Sequence, residues 1–160
     1  MGNRFYLSAL RGPGPAKMTA MDTFTLFQTV NDDARYQISK ALEGLDESHA
    51  DFKAVGSAMS ARETMAHLAE CYVAGVAHLE GTTHEWGSFR PQATDFDRLR
   101  DEMFTYRDRF GELIAQNPTE DAVKTGFTYG ASHDFYHVGQ LCSLRLTLDP
   151  SWDAYSIYRS

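Results

Sequence analysis

The strongest constraint in this sequence is a single stripe. Phe96, Leu99, Met103, Tyr106, Phe110 and Leu113 recur at intervals of 3, 4, 3, 4 and 3 residues, the spacing that lines side chains along one face of an α-helix. A helix with such a face buries it against other helices. Thr94 is the expected N-cap and Asn117-Pro118 the expected stop, since proline cannot continue a helix.

Three further helices follow from the same reasoning. Phe27, Val30, Ala34, Ile38, Ala41 and Leu45 form a stripe that predicts a helix over about residues 23–43. Ser60-Ala61-Arg62-Glu63 is a capping box, in which Ser60 accepts from the Glu63 amide while the Glu63 carboxylate reaches back to the Ser60 amide. The helix it opens runs to about Leu79 and stops at Gly81. The fourth spans about Tyr129 to Leu148 and ends before Asp149-Pro150; Phe135, Val138, Leu141, Leu144, Leu146 and Leu148 cover more than one of its faces, which suits a central position. No segment alternates as a strand.

Linkers of about 16, 13 and 11 residues exceed the roughly 2 to 8 that join neighbours in an idealised up-down bundle. The expectation is an all-α fold, a four-helix bundle with long crossover connections or loops that cover a site. Residues 1–21, punctuated by Gly12-Pro13-Gly14-Pro15, read as a poorly ordered leader, and 22–160 as the bundle domain. The segment 81–91 carries Trp86 and Phe89 and is expected to pack over the bundle, as are the C-terminal Trp152, Tyr155, Ile157 and Tyr158.

Composition removes several classes of function. Fifteen Lys and Arg against 22 Asp and Glu leave a net charge of -7, with no basic cluster to displace counterions from a nucleic acid. The weakly polar run Cys71–Leu79 is too short to span a bilayer, which takes about 20 apolar residues. Two cysteines, Cys71 and Cys142, form no disulfide framework and suit a reducing cytoplasm. Neither a phosphate-cradling glycine loop nor a G-x-S-x-G elbow is present.

The chemistry lies in the histidines. His133 and His137 stand four apart on one helix face, about 6 Å from each other, so both can reach one metal ion, and His67 on the second helix supplies a third corner. Three neutral imidazoles leave coordination positions open to water or substrate, the arrangement of catalytic sites. The competing reading of an i, i+4 histidine pair is hydrogen-bonded core or surface residues. Glu63 and Glu70 lie about one turn on either side of His67 as weak candidates for a base or a partner to its second ring nitrogen; the alternative makes Glu63 a cap and Glu70 a solvated residue. Cys71 lies within reach as a fourth ligand, although a buried structural thiol is favoured. His133-Asp134-Phe135-Tyr136-His137 differs from the H-E-x-x-H protease motif by a carboxylate one methylene shorter, which disfavours that chemistry. Tyr129, Tyr136, Trp86 and Phe89 are core aromatics by default and pocket walls as the alternative.

The string Ser60-Ala61-Arg62-Glu63-Thr64-Met65-Ala66-His67-Leu68-Ala69-Glu70, followed by His133-Asp134-Phe135-Tyr136-His137-Val138-Gly139-Gln140-Leu141, resembles the DinB/YfiT-like superfamily of metalloenzymes over about residues 22–158. The resemblance implies a four-helix bundle of crossover topology, frequent homodimers, and a divalent metal on His67, His133 and His137. Zinc or nickel is the usual assignment, with iron or manganese as alternatives. It further implies small-molecule chemistry, in characterised relatives thiol S-transfer or isomerisation with bacillithiol- or mycothiol-type cosubstrates. Val138 stands where many relatives carry Arg, which removes a cation from the site. The leading expectation is therefore a metal-dependent transferase of a low-molecular-weight thiol. A metal-dependent hydrolase and a non-enzymatic metal-binding stress or dimerisation protein are the alternatives. The C-terminal aromatics and the Trp86–Phe89 loop independently favour a homodimer.

Overall fold

Helices start in this chain wherever a side chain can take up a free amide. In the computed structural model, which describes residues 22–159, Asp22 accepts from the Thr25 amide at 2.9 Å and opens α1 (Thr23–Leu42). The leader expected over 1–21 lies outside the described residues. Both halves of the Ser60–Glu63 capping box are formed, at 3.2 and 2.9 Å, and α2 runs over Ala61–Leu79. The next helix, α3 (Phe96–Gln116), is capped by Asp95 and not by Thr94. The Thr94 carbonyl is instead held by the Arg62 guanidinium at 2.6 Å, which ties the start of α3 to α2.

The fourth arm of the bundle begins earlier than its apolar pattern suggests. Thr119 caps α4 (Glu120–Gly126), and the acidic Glu120 and Asp121 sit in its first turn, where the helix dipole favours negative charge. A wide turn, Phe127–Ala131, joins it to α5 (Ser132–Leu148). The connection from α3 is therefore only residues 117–119, and the long linker expected there is a correction. The first two connections, 43–60 and 80–95, are long as expected.

Packing follows the stripes. Along α3, Phe96, Leu99, Met103, Phe110 and Ile114 are buried. Leu113, expected on this face, is only half-buried, because a spacing of 3.5 drifts against a helix of 3.6 residues per turn. α2 lies along α3, and α1 along α5. Two glycines permit the closest approaches: a Cβ on Gly75 would stand 2.6 Å from the Phe110 ring, and one on Gly126 would stand 2.5 Å from the Phe27 ring.

The loop 80–95 does pack over the bundle. Phe89 meets Tyr106 edge-on at 5.4 Å, and Trp86 stacks on Tyr129 at 6.3 Å while remaining half exposed. The C-terminal segment docks through a short 3-10 turn, Ala154–Ile157. Ile157 is buried and Trp152 lies under the Arg145 guanidinium, but Tyr155 and Tyr158 stay exposed, contrary to the expectation that all four dock. No helix among the described residues is long and apolar enough to cross a membrane.

Candidate metal centre

The site is assembled from two helices. The cap at Ser60 places His67 two turns into α2, on the face that meets α5. The wide turn then sets the direction of α5: Gly130 departs from helical dihedrals (φ -122, ψ -107), and the Ser132 amide donates to the Phe127 carbonyl five residues back. His133 and His137 follow on successive turns. Nε2 of His133 lies 3.0 Å from Nε2 of His67 and 3.0 Å from Nε2 of His137, and all three nitrogens fall within 4.8 Å of one another.

Burial fixes the charge state of this cluster. Desolvation lowers the pKa of His67 and His133, and it lowers His137 to about 4, where the neighbouring imidazoles add to the effect. His137 is 2% exposed. At neutral pH the rings thus carry lone pairs and no net charge, the form in which imidazole ligates a cation. Nδ1 of His137 and Oε1 of the adjoining Gln140 are buried with no well-aligned hydrogen bond, although Gln140 stands close enough to oppose the lowering of the His137 pKa, and Gln140 Nε2 donates to the Tyr136 hydroxyl at 2.9 Å. Tyr136 is exposed, its ring edge-on to His137 at 5.0 Å.

Cys71, one turn beyond His67, is buried with Sγ 3.6 Å from Nε2 of both His67 and His133. Burial pushes its thiol up to about 12.

Asp134, next to His133 in sequence, points the opposite way. It is wholly buried, accepting from the Tyr72 hydroxyl at 2.6 Å and from the Arg107 guanidinium at 2.8 and 3.0 Å. Arg107 also donates to the carbonyl and side-chain oxygens of Asn31. One network thereby joins α1, α2, α3 and α5 beside the histidines. Burial raises the Asp134 pKa, with Arg107 and Tyr72 opposing. Sequence reasoning missed Arg107, because a charged residue between stripe positions reads as solvated, and Tyr72, which no pattern singled out; the signal that could have found them is an aspartate inside the apolar helix α5, which needs donors once buried.

The two glutamates expected near His67 are engaged elsewhere. Glu63 completes the capping box and pairs with Lys53 at 2.8 Å. Glu70 is largely buried, not solvated as expected, and accepts from His84 Nε2 at 3.1 Å and from the Gly87 amide at 2.6 Å. Burial opposes its ionisation, but these hydrogen bonds outweigh it and hold the carboxyl below its usual range. Glu70 therefore anchors the 80–95 loop to α2. His78, His84, Trp86 and Tyr129 line a cleft of about 210 Å³ beside that anchor, and His49 pairs with Asp46 at 2.8 Å.

The three histidines fit a divalent ion. Metal–nitrogen bonds of about 2.0–2.1 Å at tetrahedral angles put nitrogens about 3.3 Å apart, within a few tenths of an ångström of the 3.0 Å that separates His133 from each of the other two, while the His67–His137 pair stands within 4.8 Å. An all-helical bundle with a three-imidazole cluster at the junction of two helices defines a class of possible metal-binding bundles. Within it, the sequence profile of the DinB superfamily matches residues 31–143, and the chain belongs to that superfamily. The match covers all of α2 and α5 as far as Ser143, so the three histidines lie inside it. No curated protein and no solved structure matches the chain.

Proposed function

We propose that the protein is a divalent-metal-dependent enzyme of small-molecule chemistry, with the ion held by His67, His133 and His137. The observation that carries this reading is the convergence of three uncharged ring nitrogens from two helices. Bound there, such an ion would supply Lewis acidity that makes a thiol or water nucleophilic near neutral pH.

Transfer of a low-molecular-weight thiol to an electrophile is favoured over hydrolysis. Glu63 and Glu70, the carboxylates nearest in sequence to His67, are both occupied, so activation falls to the ion alone. That suffices more readily for a thiol, with a pKa of about 8.5, than for water at about 15.7. A structural role for the metal is the weaker alternative, because the Arg107–Asp134 network already joins four helices without it.

Zinc or nickel is the proposed ion, with iron or manganese behind them, since imidazole suits zinc, nickel and iron and manganese prefers oxygen. The proposed setting is the reducing cytoplasm. A homodimer is proposed as well, supported by exposed Tyr155 and Tyr158 beside a groove that includes Phe135, Gly139 and Cys142.

Elemental analysis of purified protein tests the centre. About one equivalent of metal per chain is expected in the wild type and in His49→Ala, and little in His133→Ala or His137→Ala. Equal metal content in His137→Ala refutes the site. Thiol-dependent consumption of an electrophile by the loaded protein, absent after chelation, supports the transferase. Metal-dependent turnover of an ester with no thiol present favours the hydrolase. Light scattering decides the dimer, for which a particle of 18.0 kDa would be fatal.

A further inference from the structure

We propose that Cys71 is a fourth protein ligand of this centre, making it a three-imidazole, one-thiolate site suited to a thiophilic ion such as zinc. The proposal rests on the three-histidine reading above and adds a donor that it does not use.

Three observations carry it. Cys71 follows His67 by four residues on α2, so both side chains project from one face of the helix. Its sulfur stands 3.6 Å from Nε2 of both His67 and His133. A tetrahedral ion with a nitrogen at about 2.0–2.1 Å and a sulfur at about 2.3 Å separates the two atoms by about 3.5 Å, so the distances to His67 and His133 match the two edges that would join the sulfur to those ligands, and a small turn of the His137 ring toward it would complete the set. The third is the sulfur's surroundings. Cys71 is 1% exposed, and a thiol buried only for packing has no need to face two ring nitrogens from different helices.

Coordination here is a proton exchange without redox change. The S–H bond breaks, the proton passes to solvent, and the sulfur lone pair forms the bond to the ion. The thiolate would cancel one of the two positive charges, which eases the cost of holding a cation at a partly buried position. A soft sulfur donor also shifts preference away from manganese, which favours oxygen ligands. A thiol substrate would then enter as an added ligand, its proton passing to solvent, or displace the Cys71 sulfur, its proton passing to the Cys71 thiolate it releases, so Cys71 would tune how strongly the centre activates what it binds.

Cobalt(II) in place of the native ion gives a direct readout, because a thiolate ligand adds a charge-transfer band in the near-ultraviolet to the visible bands of the ion itself. The decisive protein is Cys142→Ser, in which Cys71 is the sole thiol and its surroundings are unaltered. The expected result is visible bands with the near-ultraviolet band in wild type and Cys142→Ser, and visible bands alone in Cys71→Ser and Cys71→Ala. Zinc affinity of the Cys71 variants should fall by more than the roughly 10- to 100-fold that loss of a ligand-orienting partner costs. Visible bands without the near-ultraviolet band in Cys142→Ser overturn the fourth ligand and leave the three-histidine centre standing. Absence of all cobalt bands in wild type overturns both.

Discussion

Two polar clusters lie side by side inside this bundle, adjacent in sequence at His133 and Asp134, and they are built on opposite principles. The Asp134 cluster is saturated: both carboxylate oxygens receive donors, and the Arg107 guanidinium spends its remaining reach on Asn31. The histidine cluster is rich in lone pairs, with three Nε2 atoms crowded together. Buried polar groups that satisfy one another hold a fold together, whereas buried acceptors that face one another suit a cation. The difference separates scaffold from site within a single helical turn.

The largest effect should come from breaking the saturated cluster. Arg107→Ala leaves Asp134 buried without its cation and should cost about 3–5 kcal/mol in urea unfolding, with little change in metal content if the protein is kept folded. A loss as small as that of a surface substitution would mean the ion pair does not hold the helices. Tyr72→Phe removes one hydrogen bond to the same carboxylate and should cost about 1.5–3 kcal/mol by the same measurement.

Acid should act on the other cluster. In the unfolded chain His137 takes up a proton near 6.5, but in the folded protein only near 4. The unfolded state therefore binds more protons between those values, and its share grows as pH falls. The melting temperature of metal-free protein should drop across that window, and His137→Gln should flatten the slope; an unchanged slope would show that His137 is not buried as a neutral ring. The smallest effect belongs to the loop. Glu70→Gln weakens the anchor to His84 and Gly87 and should cost about 0.5–1.5 kcal/mol, read as faster hydrogen exchange at the Gly87 amide with metal binding preserved.

The parts of this molecule legible in the sequence are those governed by local rules. The capping box at Ser60, the start of α1 and the buried stripe of α3 follow from spacing and from short-range hydrogen bonding. The histidine cluster was legible in two steps, the i, i+4 spacing that put His133 and His137 on one face and the family resemblance that joined His67 to them. What was missed depends on partners far apart in the chain. Arg107 is buried because Asp134 and Asn31 meet it, and Glu70 is covered because a loop 14 residues away folds back onto it. The early start of α4 is a different case: Thr119 with Glu120 and Asp121 was a readable start signal, masked because the segment it opens is short and interrupted by Gly126 and Gly130.

The wide turn at Phe127–Ala131 also sets the screw phase of everything that follows. Each residue of a helix advances the thread by about 100°, so deleting one residue between 127 and 131 would rotate His133 and His137 by that angle relative to Ala122 and Val123, which are fixed in the core. The histidines would turn off the α2 face with their own sequence untouched. Length in this short stretch thus decides where the histidines aim as much as their own sequence does, and a chain carrying the same histidine motif with one residue fewer upstream should be expected to aim it elsewhere.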